Sequence, residues 1–113
     1  MRVLVNGKIE VLKLIDPNSG VNVAADIIGN HGALSDGQFV RNEDADAYEC
    51  SPETFAWWKR VLADHQALEE RIAALVEEHG SDAVYDVVNS VGDYDLEDIP
   101  GAVNAALDEA FGR

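Results

Sequence analysis

Apolar residues along this chain recur first at alternate positions and then at helical spacing, with the change of period near Ser51. Arg2-Val3-Leu4-Val5 and Lys8-Ile9-Glu10-Val11 flank Asn6-Gly7, a dipeptide suited to the type I′ turn, so residues 2–14 are predicted to form a β-hairpin. Asp16-Pro17-Asn18-Ser19-Gly20 is a turn cluster, followed by a short helix from Val21 to Ile28 that Gly29 closes. A glycine-bearing loop over 29–37 leads to a second expected hairpin, Gln38–Arg41 against Ala47–Cys50 around residues 42–46.

From Ser51 the pattern is helical. Ser51 suits the N-cap, Pro52 the first helical position and Glu53 the positive helix end, and the periodicity runs unbroken to His79 before Gly80. A second helix of about ten residues is expected from Ser81 towards Gly92, with Ser81 as its cap, and a third from near Pro100 to Gly112. The last two share a pattern: Ala83, Val84, Val87, Val88 and Val91 match Ala102, Val103, Ala106, Leu107 and Ala110. A short duplication gives this, and so does common packing on one long helix. The fold class is therefore α+β: a small N-terminal antiparallel β-hairpin sheet followed by a long helix and two shorter ones. The length of 113 residues suits a single domain over 1–113, β-rich over 1–50 and helical over 51–113.

The long helix has a wide apolar arc, made by Phe55, Trp57, Trp58, Val61, Leu62, Leu68, Ile72, Leu75 and Val76. Packing on both the sheet and the short helices accounts for that width. The alternative is a homodimer seam through the long helix along Trp58, Val61, His65, Leu68, Ile72, Leu75 and His79. His65 and Glu69 stand one turn apart and are expected to form a structural pair at the edge of the core. Trp57 lies on the border of the arc and is the candidate interface aromatic.

Charge changes this picture more than any motif does. Twenty-two Asp and Glu face eight Lys and Arg, for a net charge of -14. Direct nucleic-acid binding and adhesion to anionic membranes both need clustered basic residues, so neither is expected. From Ile72 to Gly112 there is no Lys or Arg, yet ten carboxylates fall there. Glu77 and Glu78 end the long helix, Asp82 and Asp86 lie opposite the valine face of the second helix, and Asp93, Asp95, Glu97 and Asp98 fill the following loop. Asp108 is expected to point outward from the third helix, close to Glu109. These residues are read as a continuous negative surface for a basic partner. A solvated face, or the surface of a salt-adapted organism, is the plainer alternative, although such a surface should be acidic along the whole chain.

Nothing in the sequence marks catalysis or a cofactor. Asp93, Asp95 and Glu97 resemble the opening of a calcium loop, but Asp98 stands at its glycine position and Asn104 where its glutamate belongs. The three histidines have no zinc spacing, Cys50 stands alone, and residues 29–37 lack the lysine of a phosphate loop. No metal, no cofactor and no enzymatic activity are expected. One cysteine, no signal-peptide pattern and no apolar run near ~20 residues point to the cytoplasm.

In size, acidity and single-domain design the chain resembles the small anti-CRISPR and anti-restriction inhibitors of phages and other mobile elements, many of which mimic DNA. The resemblance is one of class and carries no residue over. It implies an inhibitor in a bacterial host that docks on a CRISPR effector or another nucleic-acid-binding complex. The alternative reading is a homodimeric structural or regulatory module of a phage or a halophile.

Overall fold

The structure is a computed structural model that describes residues 1–112. Its elements are β1 (Arg2–Val5), β2 (Lys8–Val11), α1 (Ala24–Asn30), β3 (Val40–Asn42), β4 (Ala47–Glu49), α2 (Pro52–His79), α3 (Ser81–Ser90) and α4 (Ile99–Phe111). The architecture is α+β, with a small N-terminal sheet followed by helices. Two compact units divide the chain in the middle of α2, at Met1–Ala63 and Asp64–Arg113, and not at the start of that helix.

In the first unit, β1 and β2 pair antiparallel through Asn6 (φ 51°) and Gly7 (φ 76°). Both turn residues occupy the left-handed region, as a type I′ turn requires. The second hairpin, β3 with β4, is also antiparallel. The sheet order is β2-β1-β4-β3, and β1 pairs parallel with β4, so a parallel seam joins two antiparallel hairpins. Short-range periodicity carries no information about that pairing, because it is set by the connection through residues 12–39.

Asn22 organises this connection. Its Oδ1 accepts the N–H groups of Leu14 and Ala24, both at 3.1 Å, and its Nδ2 donates to the Leu12 carbonyl at 3.2 Å. Helix α1 starts three residues later than Val21, because Asn22 is engaged in this stitching, and it continues past Gly29 to Asn30. The buried side chains of the unit include Val3, Leu12, Ile28, Phe39 and, from α2, Trp58, Val61 and Leu62. Trp58 Nε1 donates to Gln38 Oε1 at 3.1 Å, which satisfies the indole inside an apolar setting.

Helix α2 has the bounds that its sequence predicts, Pro52 to His79, and its 28 residues span about 42 Å. Ser51 caps it: the hydroxyl accepts the Thr54 N–H at 3.1 Å. The wide apolar arc serves two cores in succession. Trp58, Val61 and Leu62 belong to the first unit, whereas Leu68 and Ile72 pack with Val84 of α3 and with Val103 and Leu107 of α4. Five of the seven residues of the suggested dimer seam are buried within the chain: Trp58, Val61, His65, Leu68 and Ile72 are at most 9% exposed. Leu75 packs on the core of the second unit, and the His79 ring stacks on Phe111 with centroids 4.6 Å apart.

Ser81 is the first residue of α3 and not its cap. Gly80, at φ 90°, makes the corner after α2 and occupies the cap position of α3, where it supplies no side-chain hydrogen bond. Helix α4 begins one residue ahead of Pro100 and stops at Gly112, whose φ of 76° continues no helix. Among the described residues no helix is long and apolar enough to cross a membrane.

Candidate functional site

The second unit holds the acidic residues singled out in the sequence. Between Asp64 and Arg113 thirteen carboxylates face two arginines, a net charge of -11, against nine carboxylates and six bases, net -3, over Met1–Ala63. The charge imbalance therefore follows the structural division.

Glu77 and Glu78 are exposed on the last turn of α2, and Gly80 turns the chain so that Asp82 opens α3 only four residues later. Asp82 and Asp86 are exposed one turn apart on α3, opposite buried Val84. Asp93, Asp95, Glu97 and Asp98 are exposed in the α3–α4 loop, where the Asp98 N–H donates to the Asp95 carbonyl at 2.8 Å. Helix α3 has ten residues, about 15 Å of axis, so carboxylates stand at both its ends and along one side.

A buried histidine fixes this loop to α2. His65 is 9% exposed, and its Nε2 lies 2.7 Å from the Leu96 carbonyl oxygen. A carbonyl only accepts, so Nε2 carries the proton and donates. The partner of His65 is thus a backbone carbonyl 31 residues ahead, and not Glu69 one turn along the same helix.

Asp108 corrects the expectation from its helix alone. It does not point into solvent: its side chain is 27% exposed, and its Oδ1 accepts from Arg71 Nη2 at 2.6 Å. Arg71 Nη1 also donates to the Asn104 side chain at 2.8 Å and to the Asn104 carbonyl at 3.3 Å. Asp108 stands one turn from Asn104 at the border of the apolar arc of α4, within reach of Arg71 on α2. Considering α4 by itself cannot show that a neighbouring helix brings a cation to that border. Asp108 is therefore part of a clasp between α2 and α4, and the candidate acidic surface keeps Glu77, Glu78, Asp82, Asp86, Asp93, Asp95, Glu97 and Asp98.

Trp57 lies in the first unit, away from the acidic set in sequence and in unit. It is half-buried, with its ring edge-on to Trp58 at 4.9 Å and tilted against His31 at 6.4 Å. The exposed aromatic residues of the acidic unit are Tyr85 at 41% and Tyr94 at 53%. Tyr85 stands three residues after Asp82 and so neighbours it on the surface of α3, a signal present in the sequence.

Open grooves occur in both units. One, of about 500 Å³, is lined by Arg71, Leu75, Asn104, Asp108 and Gly112, and its cation is already engaged by the clasp. Another, of about 480 Å³, lies in the first unit beside Gln38, Glu49, Cys50 and Thr54. Burial pushes the Cys50 thiol above its ordinary range, which keeps it protonated and a weak nucleophile. Among the described residues no three His, Cys, Asp or Glu side chains converge in a way that could hold a metal ion. Compared with protein-family models, with curated proteins and with solved structures, the chain matches none of them.

Proposed function

We propose that this protein is a small protein–protein interaction module whose C-terminal acidic surface docks onto a basic, nucleic-acid-binding surface and inhibits it, in the manner of an anti-CRISPR protein. One observation carries the reading: the net charge is -11 over one compact unit and -3 over the other. Like charges held together in a folded unit repel, so acidity confined to one half destabilises that half and calls for a compensating role. Salt adaptation would acidify both units alike.

Carboxylates on a short helix and its two flanking turns present fixed negative groups over about 15 Å, and a cleft built for phosphates meets them with Lys and Arg. Complementary potentials of this kind raise association rates to as much as ~10⁸–10⁹ M⁻¹s⁻¹ at low salt and orient the docking. The surface acts by occupying the place of a nucleic acid, so no catalytic group, metal or cofactor is required, and the target belongs to a host defence complex in the bacterial cytoplasm.

The test is charge reversal within the surface. Replacing Asp82, Asp86, Asp95 and Asp98 together by Lys should abolish inhibition of a purified CRISPR effector, while inhibition by the native chain should weaken steeply as salt rises. Undiminished inhibition by the fourfold variant removes the proposal.

A further inference from the structure

The first unit carries an interaction surface of a different kind, the free edge of its sheet. Strand β2 is terminal in the order β2-β1-β4-β3, and β1 is its one strand partner among the described residues. Met1 and Leu12 exchange both backbone hydrogen bonds, Met1 N to Leu12 O at 2.8 Å and Leu12 N to Met1 O at 2.9 Å. Hydrogen-bonded and non-hydrogen-bonded pairs alternate along an antiparallel ladder. With Arg2↔Val11, Val3↔Glu10 and Leu4↔Ile9 as the register, Ile9 and Val11 therefore turn their N–H and C=O groups away from β1. Their side chains are also uncovered, at 41% and 47%. A strand with outward backbone groups and exposed apolar side chains is a template for a further strand.

We infer that β2 is a dimerisation edge, and that its occupant is β2 of a second copy, paired antiparallel about a two-fold axis at Ile9. Charge complementarity within the strand selects this occupant and this register. With Ile9 opposite Ile9 of the second copy, Lys8 falls opposite Glu10 and Glu10 opposite Lys8, so two unlike pairs face each other on one side of the new ladder. Val11 falls opposite Gly7, which has no side chain to clash. A register centred on Glu10 would set carboxylate against carboxylate. One centred between the two residues is ruled out, because it would oppose an outward-facing residue to an inward-facing one.

The two hairpin sheets merge in this way into one sheet of eight strands, and the association closes there. The other edge, β3, has three residues, and self-pairing about its centre would place exposed Arg41 against Arg41. The pairing strand belongs to the unit of net charge -3. The inference is independent of the inhibitory reading.

Sedimentation equilibrium of the full chain in ~150 mM salt, where exposed charges are screened beyond about 8 Å, measures it directly. The native chain should reach twice its 12.3 kDa mass at tens of micromolar. Lys8→Glu alone and Glu10→Lys alone each convert two unlike pairs into two like pairs and should weaken the dimer about tenfold or more. Mixing these two variants in equal amounts should restore it, because both facing pairs in the heterodimer are again unlike. Circular dichroism confirms that each variant is folded, and the mixture separates the register from any general destabilisation. A native chain that stays monomeric at 100 μM, single variants that dimerise like the native chain, or a mixture that stays monomeric each overturn the inference.

Discussion

Arg71 is the one basic residue described in a unit that carries thirteen carboxylates, and it does not serve as a surface counter-charge. Its guanidinium links α2 to α4 through the Asp108 carboxylate at 2.6 Å and the Asn104 side chain at 2.8 Å. Replacing it with Met keeps the aliphatic stem and removes the fork. A hydrogen bond to a charged group contributes about 1.5–3 kcal/mol, but both side chains are 27% exposed and exposed ion pairs give far less. Counting the two short bonds at a discount, Arg71→Met should cost about 2 kcal/mol. That corresponds to a fall of about 8 °C in melting temperature at roughly 4 °C per kcal/mol for a chain of this size. Circular dichroism at 222 nm is the assay, because Trp57 and Trp58 both lie in the first unit and their fluorescence reports that unit. The two side chains share one charged hydrogen bond, so Arg71→Met combined with Asp108→Asn should cost less than the sum of the two single changes, by about 1 kcal/mol. A single variant within 0.5 kcal/mol of the native chain, or strict additivity in the double variant, refutes the clasp.

Three other perturbations test the local accounts. Asn22→Ala strips partners from the Leu12 carbonyl and from the Leu14 and Ala24 N–H groups, and should destabilise the first unit by about 2 kcal/mol in urea unfolding followed by tryptophan fluorescence. An unchanged midpoint would show that water replaces the side chain at no cost. Ser51→Ala should cost about 1 kcal/mol and Ser51→Asp much less, since Asp also caps; equal losses would contradict the capping role. The Cys50 thiol, raised by burial, should react with iodoacetamide at pH 8 several-fold more slowly than in the urea-unfolded chain. Its folded pKa lies above the unfolded one, so its contribution to stability is present at neutral pH and is lost as pH rises through the folded value. Equal alkylation rates in the two states would contradict that.

The elements most legible in the sequence are those fixed by neighbouring residues. Asn6-Gly7 determines the first hairpin, and Ser51-Pro52-Glu53 with Gly80 determines α2, because turn and cap geometry depend on residues a few positions apart. The parallel pairing of β1 with β4 was not legible, since its registry joins Val3 to Tyr48 across 45 positions. The start of α1 was displaced by a side chain, Asn22, that bonds residues on both sides of itself. The same limit applies to the candidate site. Exposure of Glu77, Asp82, Asp86 and the loop acids follows from helical phase and loop position, and these residues are exposed. Asp108 was misjudged because its partner lies 37 residues away, and the His65 bond to Leu96 crosses 31. Along the sequence the acidity shows as a base-free stretch from Ile72 to Gly112, whereas contacts divide the chain at Ala63, which leaves Lys59 and Arg60 outside the acidic unit.

Competition with nucleic acid is the most direct measurement of the central claim that the acidic unit occupies a phosphate-binding surface. A CRISPR effector loaded with fluorescent target DNA should release it, seen as a fall in anisotropy, when the native chain is added, and the midpoint should move to higher protein concentration as salt increases. The variant with Asp82, Asp86, Asp95 and Asp98 replaced by Lys should leave the DNA in place. Binding of the native chain to the effector with no displacement of DNA, or equal displacement by the fourfold variant, would contradict the account.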